Sequence, residues 1–115
     1  MNLTDIVSKL ELKTLTPKNP SIASPEITSA YVSDLLSDVL ANAPKNALLV
    51  TVQVHANVIA VAVHANLSGV IFAANRRPEK IVIDKAADQG IPLFSSNESA
   101  FQVAGRLYTL GLRGP

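Results

Sequence analysis

Alternating strand and helix signals predict an α/β fold: one domain over residues 1–115, with a mostly parallel β-sheet and helices on both faces. Three observations carry this expectation. The runs "ALLVTVQV" from Ala47, "GVIFAA" from Gly69 and "IPLFS" from Ile91 are nearly continuous in apolar residues, as strands buried on both faces must be. Segments of helical spacing lie between them and end in stop signals. With 48% hydrophobic but only 4% aromatic residues, the core has to be built from Val, Ile, Leu and Ala, which pack well between a sheet and covering helices.

From the N-terminus, Ile6, Val7 and Leu10 fall at helical spacing in residues 4–10, and "KTLT" after them is a short strand candidate. Pro17, Pro20 and Pro25 make residues 16–26 a proline-rich loop. "ITSAYVSD" is strand-like, and Leu35, Leu36, Val39 and Leu40 then resume helical spacing until Pro44 stops it. The Ala-rich "ANVIAVAVHAN" of residues 56–66 is expected as a helix despite its β-branched residues. Pro78 suits the first turn of a helix reaching Gln89, with Gly90 as its stop. Ser95-Ser96-Asn97-Glu98 has the pattern of a capping box opening a last helix over 100–110, closed by Gly111. The repeated strand-to-helix rhythm implies right-handed crossovers.

Composition excludes several function classes. Ten basic and nine acidic residues are spread along the chain with no basic run, which argues against a nucleic-acid partner. Without cysteine there is no disulfide, thiolate zinc site or cysteine nucleophile, in keeping with a cytoplasmic location. The N-terminus lacks a signal-peptide core. The longest uncharged stretch, residues 47–75, is broken by Gln53, His55, Asn57, His64, Asn66, Ser68 and Gly69 and is not a membrane span. Charged residues make up 17%, below the usual quarter or so, so part of the surface is expected to be covered by a second copy or a partner enzyme.

The only two histidines sit in a repeat, Val54-His55-Ala56-Asn57 and Val63-His64-Ala65-Asn66. On one helix, nine steps place them about half a turn apart and about 13 Å along the axis, too far to share a metal. No acidic residue between positions 39 and 78 completes a site, so no metal is expected. The repeat reads instead as the start and the stop of one helix, with Asn57 as a cap.

The strand-to-helix junctions collect polar residues: Ser33 and Asp34; His55 and Asn57; Asn75, Arg76 and Arg77; Ser95, Ser96 and Asn97. In a parallel sheet these loops lie side by side at the carboxyl ends of the strands, and helix N-termini there favour an anion such as a phosphate. Arg76 and Arg77 add cationic donors. The same residues also serve as caps and turn formers in any such fold. No glycine-rich phosphate loop accompanies them; Ser33, Asp34 and His55 lack a nucleophile-elbow glycine pattern, and adjacent Ser33 and Asp34 point different ways from a helix start, so no catalytic residue is assigned. Asp34 and Asp38, four apart, read as a solvated helix face.

Over residues 3–112, and best in "YVSDLLSDVLANA", "VTVQVHANVIAVA", "GIPLFSS" and "FQVAGRLYTLGL", the sequence resembles the DRTGG domain family. The Asp-Arg-Thr-Gly-Gly signature itself is degenerate: Thr28 matches, and Ser29 and Ala30 stand in place of the glycines. The resemblance implies a domain similar to the N-terminal domain of HPr kinase/phosphorylase, without the kinase's phosphate loop. It also implies a non-catalytic module. Such domains accompany nucleotide-sensing CBS domains in regulated pyrophosphatases, occur in phosphate acetyltransferases, and stand alone beside hydrogenase and related redox genes.

The resulting expectation is a homodimeric regulatory or scaffold module with no resident cofactor, sensing a phosphate-bearing ligand such as an adenine nucleotide at the polar rim. Phe101, Ala104, Leu107 and Tyr108 of the last helix are the expected interface. A small acyl- or phosphoryl-transfer enzyme using His55 and an assembly protein without a small ligand are the competing classes.

Overall fold

Strands form where the sequence runs out of charge. The computed structural model describes residues 1–17 and 26–115. Its elements are α1 (Leu3–Leu10), β1 (Lys13–Thr14), β2 (Ala30–Val32), α2 (Leu36–Asn42), β3 (Leu48–Thr51), α3 (Asn57–His64), β4 (Gly69–Phe72), α4 (Lys80–Asp88), β5 (Leu93–Ser95) and α5 (Ala100–Thr109). Most of the proline-rich loop expected at 16–26 lies outside the described residues.

The five strands form one sheet in the order β1-β5-β4-β3-β2. The pairs β2/β3, β3/β4 and β4/β5 are parallel, and β1 runs antiparallel along β5. Strands β3, β4 and β5 are buried at every position, which is why their sequences do not alternate between apolar and polar. Their side chains alternate between two cores instead. Leu49, Val70, Phe72 and Leu93 meet Val39 of α2, Val58, Ile59 and Ala62 of α3, and Val82 and Ala86 of α4. Leu48, Val50, Ile71 and Phe94 meet Ile6 and Leu10 of α1 and Val103 and Leu107 of α5. Each of the first three crossovers advances by one strand in the same direction, so α2, α3 and α4 share one face; α1 and α5 cover the other.

The helix ends show how the sequence punctuates this arrangement. The His55 imidazole Nδ1 accepts a hydrogen bond from the Asn57 N–H at the start of α3, at 3.1 Å. At the other end Asn66 takes the left-handed conformation (φ 55°), the Asn66 N–H donates to the Val63 carbonyl and the Leu67 N–H to the Ala62 carbonyl. This is a Schellman stop. The two copies of the histidine repeat therefore open and close one helix. Gly90 and Gly111 stop α4 and α5 in the same manner, and Glu11, φ 53°, does so for α1 although it carries a side chain.

One expected helix cap and one expected helix start are corrected. Ser95-Ser96-Asn97-Glu98 is not the capping box of α5, because β5 continues through Ser95; the N-cap is Ser99, whose hydroxyl accepts from the Gln102 N–H. Pro78 does not open α4, which starts at Lys80 with Glu79 as N-cap; Pro78 is buried ahead of it. The aspartates also differ from a solvated face. Asp38 accepts from the Tyr31 hydroxyl and the Asn42 side-chain amide, both at 2.8 Å, tying edge strand β2 to α2. The Asn42 bond and then the Tyr31 bond hold the Asp38 carboxyl below its ordinary pKa, while the bond to Asp38 raises that of the Tyr31 phenol.

The left-handed stop at Asn66 yields a direct test. Asn66→Gly is expected to stabilise the protein by about 0.5 kcal/mol and Asn66→Val to destabilise it by about 1–2 kcal/mol, because only the latter pushes a branched Cβ against the following carbonyl. Urea unfolding of both variants measures the pair, and an unchanged Asn66→Val midpoint would contradict this role.

Candidate functional site

The ten polar residues expected on one rim fall into two groups. Over the ends of β2 and β3 they serve the fold. The Asp34 carboxylate accepts from the Thr51 hydroxyl and the Val52 N–H, both at 2.8 Å, and the Thr51 hydroxyl accepts in turn from the Gln53 N–H. The Ser33 hydroxyl accepts from the Leu35 N–H ahead of α2; Asn57, expected as a cap, is instead the first residue of α3, with Ala56 as N-cap, and its N–H donates to His55 Nδ1. Asp34 bonds to Thr51 and Val52 and not to His55, so these residues do not assemble as a Ser-His-Asp relay. Of the helix N-termini expected to converge, those of α3 and α5 are already engaged, by His55 Nδ1 and the Ser99 hydroxyl, whereas no side chain caps α2.

The second group forms a hollow. The chain leaves β4 toward α4 on one face of the sheet and leaves β5 toward α5 on the other, and a crevice opens where adjacent connections part in this way. Antiparallel β1 bounds it on the far side, with Lys13 opposite Ser95. Glu11, Lys13, Asn75, Arg77, Ser95 and Asn97 line a volume of about 250 Å³ there. Asn75, Arg77, Ser95 and Asn97 are thus brought together as expected residues, whereas Arg76 is exposed beside the hollow and Ser96 is buried behind it.

The walls are fixed by backbone bonds. Ala74 and Asn75 are consecutive left-handed residues (φ 57° and 58°), a conformation that costs an alanine about 1–2 kcal/mol. It is held because the Ala74 N–H donates to the Glu98 carbonyl at 2.7 Å and the Asn75 N–H to the Ser96 carbonyl at 2.8 Å. Arg106 of α5 joins the third wall, pairing with the Glu98 carboxylate and donating to the Lys9 carbonyl in the last turn of α1. That turn leads directly into Glu11 and Lys13. Left-handed Glu11, Ala74 and Asn75 all lie in or beside the hollow, a concentration of strained backbone of the kind found at binding sites.

Electrostatically the hollow carries Lys13 and Arg77 against a single carboxylate, Glu11. Among the described residues the ion pairs are Met1 with Glu26, Lys80 with Asp84 and Arg106 with Glu98, so Lys13, Arg76 and Arg77 are uncommitted. Sequence reasoning missed Glu11 and Lys13. The "KTLT" strand was legible, but its pairing with β5, some eighty residues away, has no local signal. Among the described residues no three metal-ligating side chains cluster, and no helix is long and apolar enough to cross a membrane.

The expected interface also divides. Phe101 and Tyr108 are 85% and 61% exposed and Ala104 is half-buried, but Leu107 is 1% exposed and belongs to the core under α5. Its position in the helix turns it toward Leu48 and Val50, so it is corrected from interface to core.

No protein-family model matches the chain, and no curated protein matches it. Among solved structures it is similar to the CBS and DRTGG domains of the regulatory region of Clostridium perfringens pyrophosphatase, a crystal structure complexed with the activator diadenosine tetraphosphate. The TM-score is 0.72 at 14% identity, over 91% of this chain and 45% of that one. The likeness supports a DRTGG-like fold, and the chain spans less than half the length of that regulatory region.

The two groups of polar residues should separate experimentally. Thr51→Val removes a fully buried hydroxyl that both donates to Asp34 and accepts from Gln53, and is expected to destabilise the protein by about 1–3 kcal/mol. Amide chemical shifts should move around Asp34 and Val52 and stay fixed at Asn75 and Asn97. Equal disturbance of both groups would contradict the division.

Proposed function

We propose that the chain is a non-catalytic regulatory or scaffold module that binds a phosphate-bearing small ligand in the hollow between β4, β5 and β1. One observation carries this reading: Lys13 and Arg77, without an ion-pair partner among the described residues, converge with Asn75, Ser95 and Asn97 where the sheet connections part. Cationic donors beside neutral amides and a hydroxyl are the chemistry that holds phosphate oxygens. The pyrophosphatase region of similar fold, crystallised with a nucleotide activator, supports a regulatory over a catalytic role. His55, the base required by an enzymatic reading, is engaged through Nδ1 at the start of α3 and does not line the hollow.

Thermal-shift titrations with inorganic phosphate, AMP, ATP and diadenosine tetraphosphate test the reading. A saturable stabilisation is expected from at least one of them, lost in a Lys13→Ala/Arg77→Ala double variant and kept in His55→Ala. No stabilisation by any, or one that survives the double variant, would remove the hollow as a ligand site.

We also propose that the module is a homodimer joined through the outer face of α5 and the neighbouring edge strand β2. Phe101, Tyr108 and Val32 are exposed apolar side chains, and Tyr31, Val32, Ala104 and Tyr108 contribute to an apolar groove of about 310 Å³. A Cβ added at Gly105 would meet nothing within 4 Å, which leaves that face open to close approach. Light scattering should find a dimer that becomes monomeric in Phe101→Asp/Tyr108→Asp; a wild-type monomer, or a dimer in the folded double variant, would overturn this interface.

A further inference from the structure

The lining of the hollow is selective in a way that narrows its occupant. Among the described residues the six that line it are all polar, and none is aromatic or aliphatic. The chain's few aromatic side chains are placed elsewhere. Phe72 and Phe94 are buried in the two cores, Tyr31 is on the opposite edge of the sheet, and Phe101 and Tyr108 are on α5 and do not line the hollow. A nucleobase needs an apolar or aromatic face on which to rest, and none of the described lining residues provides one.

The sign pattern adds a second restriction. Lys13 and Arg77 favour an anion, but Glu11 shares the hollow with them. A bare phosphate there gains two cations and meets one carboxylate at short range, and like charges oppose each other. A ligand that carries its anion at one end and hydroxyl groups at the other satisfies both. Its phosphate lies with Lys13 and Arg77, and its hydroxyls donate to the Glu11 carboxylate while exchanging hydrogen bonds with the Asn75 and Asn97 amides and the Ser95 hydroxyl.

Resting on the phosphate-site reading above, we infer that the hollow recognises a sugar phosphate, either free or as the ribose-phosphate end of a nucleotide whose base stays outside. Glu11 is then a specificity residue: it selects the hydroxyl-bearing ligand and works against inorganic phosphate.

The test compares inorganic phosphate, ribose 5-phosphate, AMP and adenosine by calorimetric or NMR titration on the full chain, wild type and Glu11→Gln. Ribose 5-phosphate is expected to bind more tightly than inorganic phosphate to the wild type, AMP to match ribose 5-phosphate, and adenosine not to bind. Glu11→Gln should act with opposite signs, weakening ribose 5-phosphate about tenfold through loss of charge-assisted hydrogen bonds while tightening inorganic phosphate. If Glu11→Gln tightens both, the carboxylate is no selector and the inference fails while the phosphate site stands. If AMP binds far more tightly than ribose 5-phosphate, the base is read and the assignment to a sugar phosphate is overturned. If neither phosphate nor ribose 5-phosphate binds the folded wild type, the phosphate-site reading itself fails. Glu11→Gln keeps the length and shape of the left-handed residue that closes α1, and its unfolding midpoint checks that the wall is intact.

Discussion

Everything in this molecule follows from having to bury both faces of a short parallel sheet. Strands β3, β4 and β5 have no polar face, so two separate layers of helix are obligatory. Crossovers that keep one hand and one direction supply the first layer automatically with α2, α3 and α4. They cannot supply the second. It has to come from the helix before the sheet's parallel part and the helix after it, α1 and α5. The chain must consequently change face on leaving β5, and that change opens the hollow. Its position is fixed by the covering of the sheet before any polar residue is chosen.

Given that constraint, the residues that appear at each junction have two distinct uses. Over β2 and β3, where successive connections stay on one face, Asp34, Thr51 and His55 are consumed in local bonds that bring the loops down onto the strands. Over β4 and β5, where the connections diverge, backbone groups do that work: Ala74 and Asn75 donate to the carbonyls of Glu98 and Ser96. The Asn75, Arg77, Ser95 and Asn97 side chains at the second junction are thereby left to line the hollow, while the Ser96 hydroxyl accepts from the Glu98 N–H. Similar residue types, spaced alike in the sequence, thus end in opposite roles according to the route of the backbone beneath them.

This explains how far the sequence could be read. Buried strands, helical segments and the stops at Asn66, Gly90 and Gly111 rest on local chemistry and were legible as such. So was the carboxyl edge as the place where polar residues gather. The start of α5 at Ala100 was legible, but its cap was assigned to the wrong residues because Ser95 to Glu98 fits the capping pattern; the length of β5, set by pairing with β4 and β1, leaves the cap to Ser99. Leu107 looked available on a helical wheel with few polar positions, but contacts with Leu48 and Val50 decide which side is covered. Glu11 and Lys13 were invisible for the same reason. Their place in the hollow depends on a strand pairing across most of the chain.

The Arg106 bridge has a mechanical consequence. By holding Glu98 with one arm and the Lys9 carbonyl with the other, it joins the end of α1 to the loop whose carbonyls anchor Ala74 and Asn75. The three walls around the hollow are therefore tied to one another through one side chain of α5. The same helix exposes Phe101 and Tyr108 on its outer face. A small polar hollow at the sheet's edge and an exposed apolar surface thus share one helix as their support.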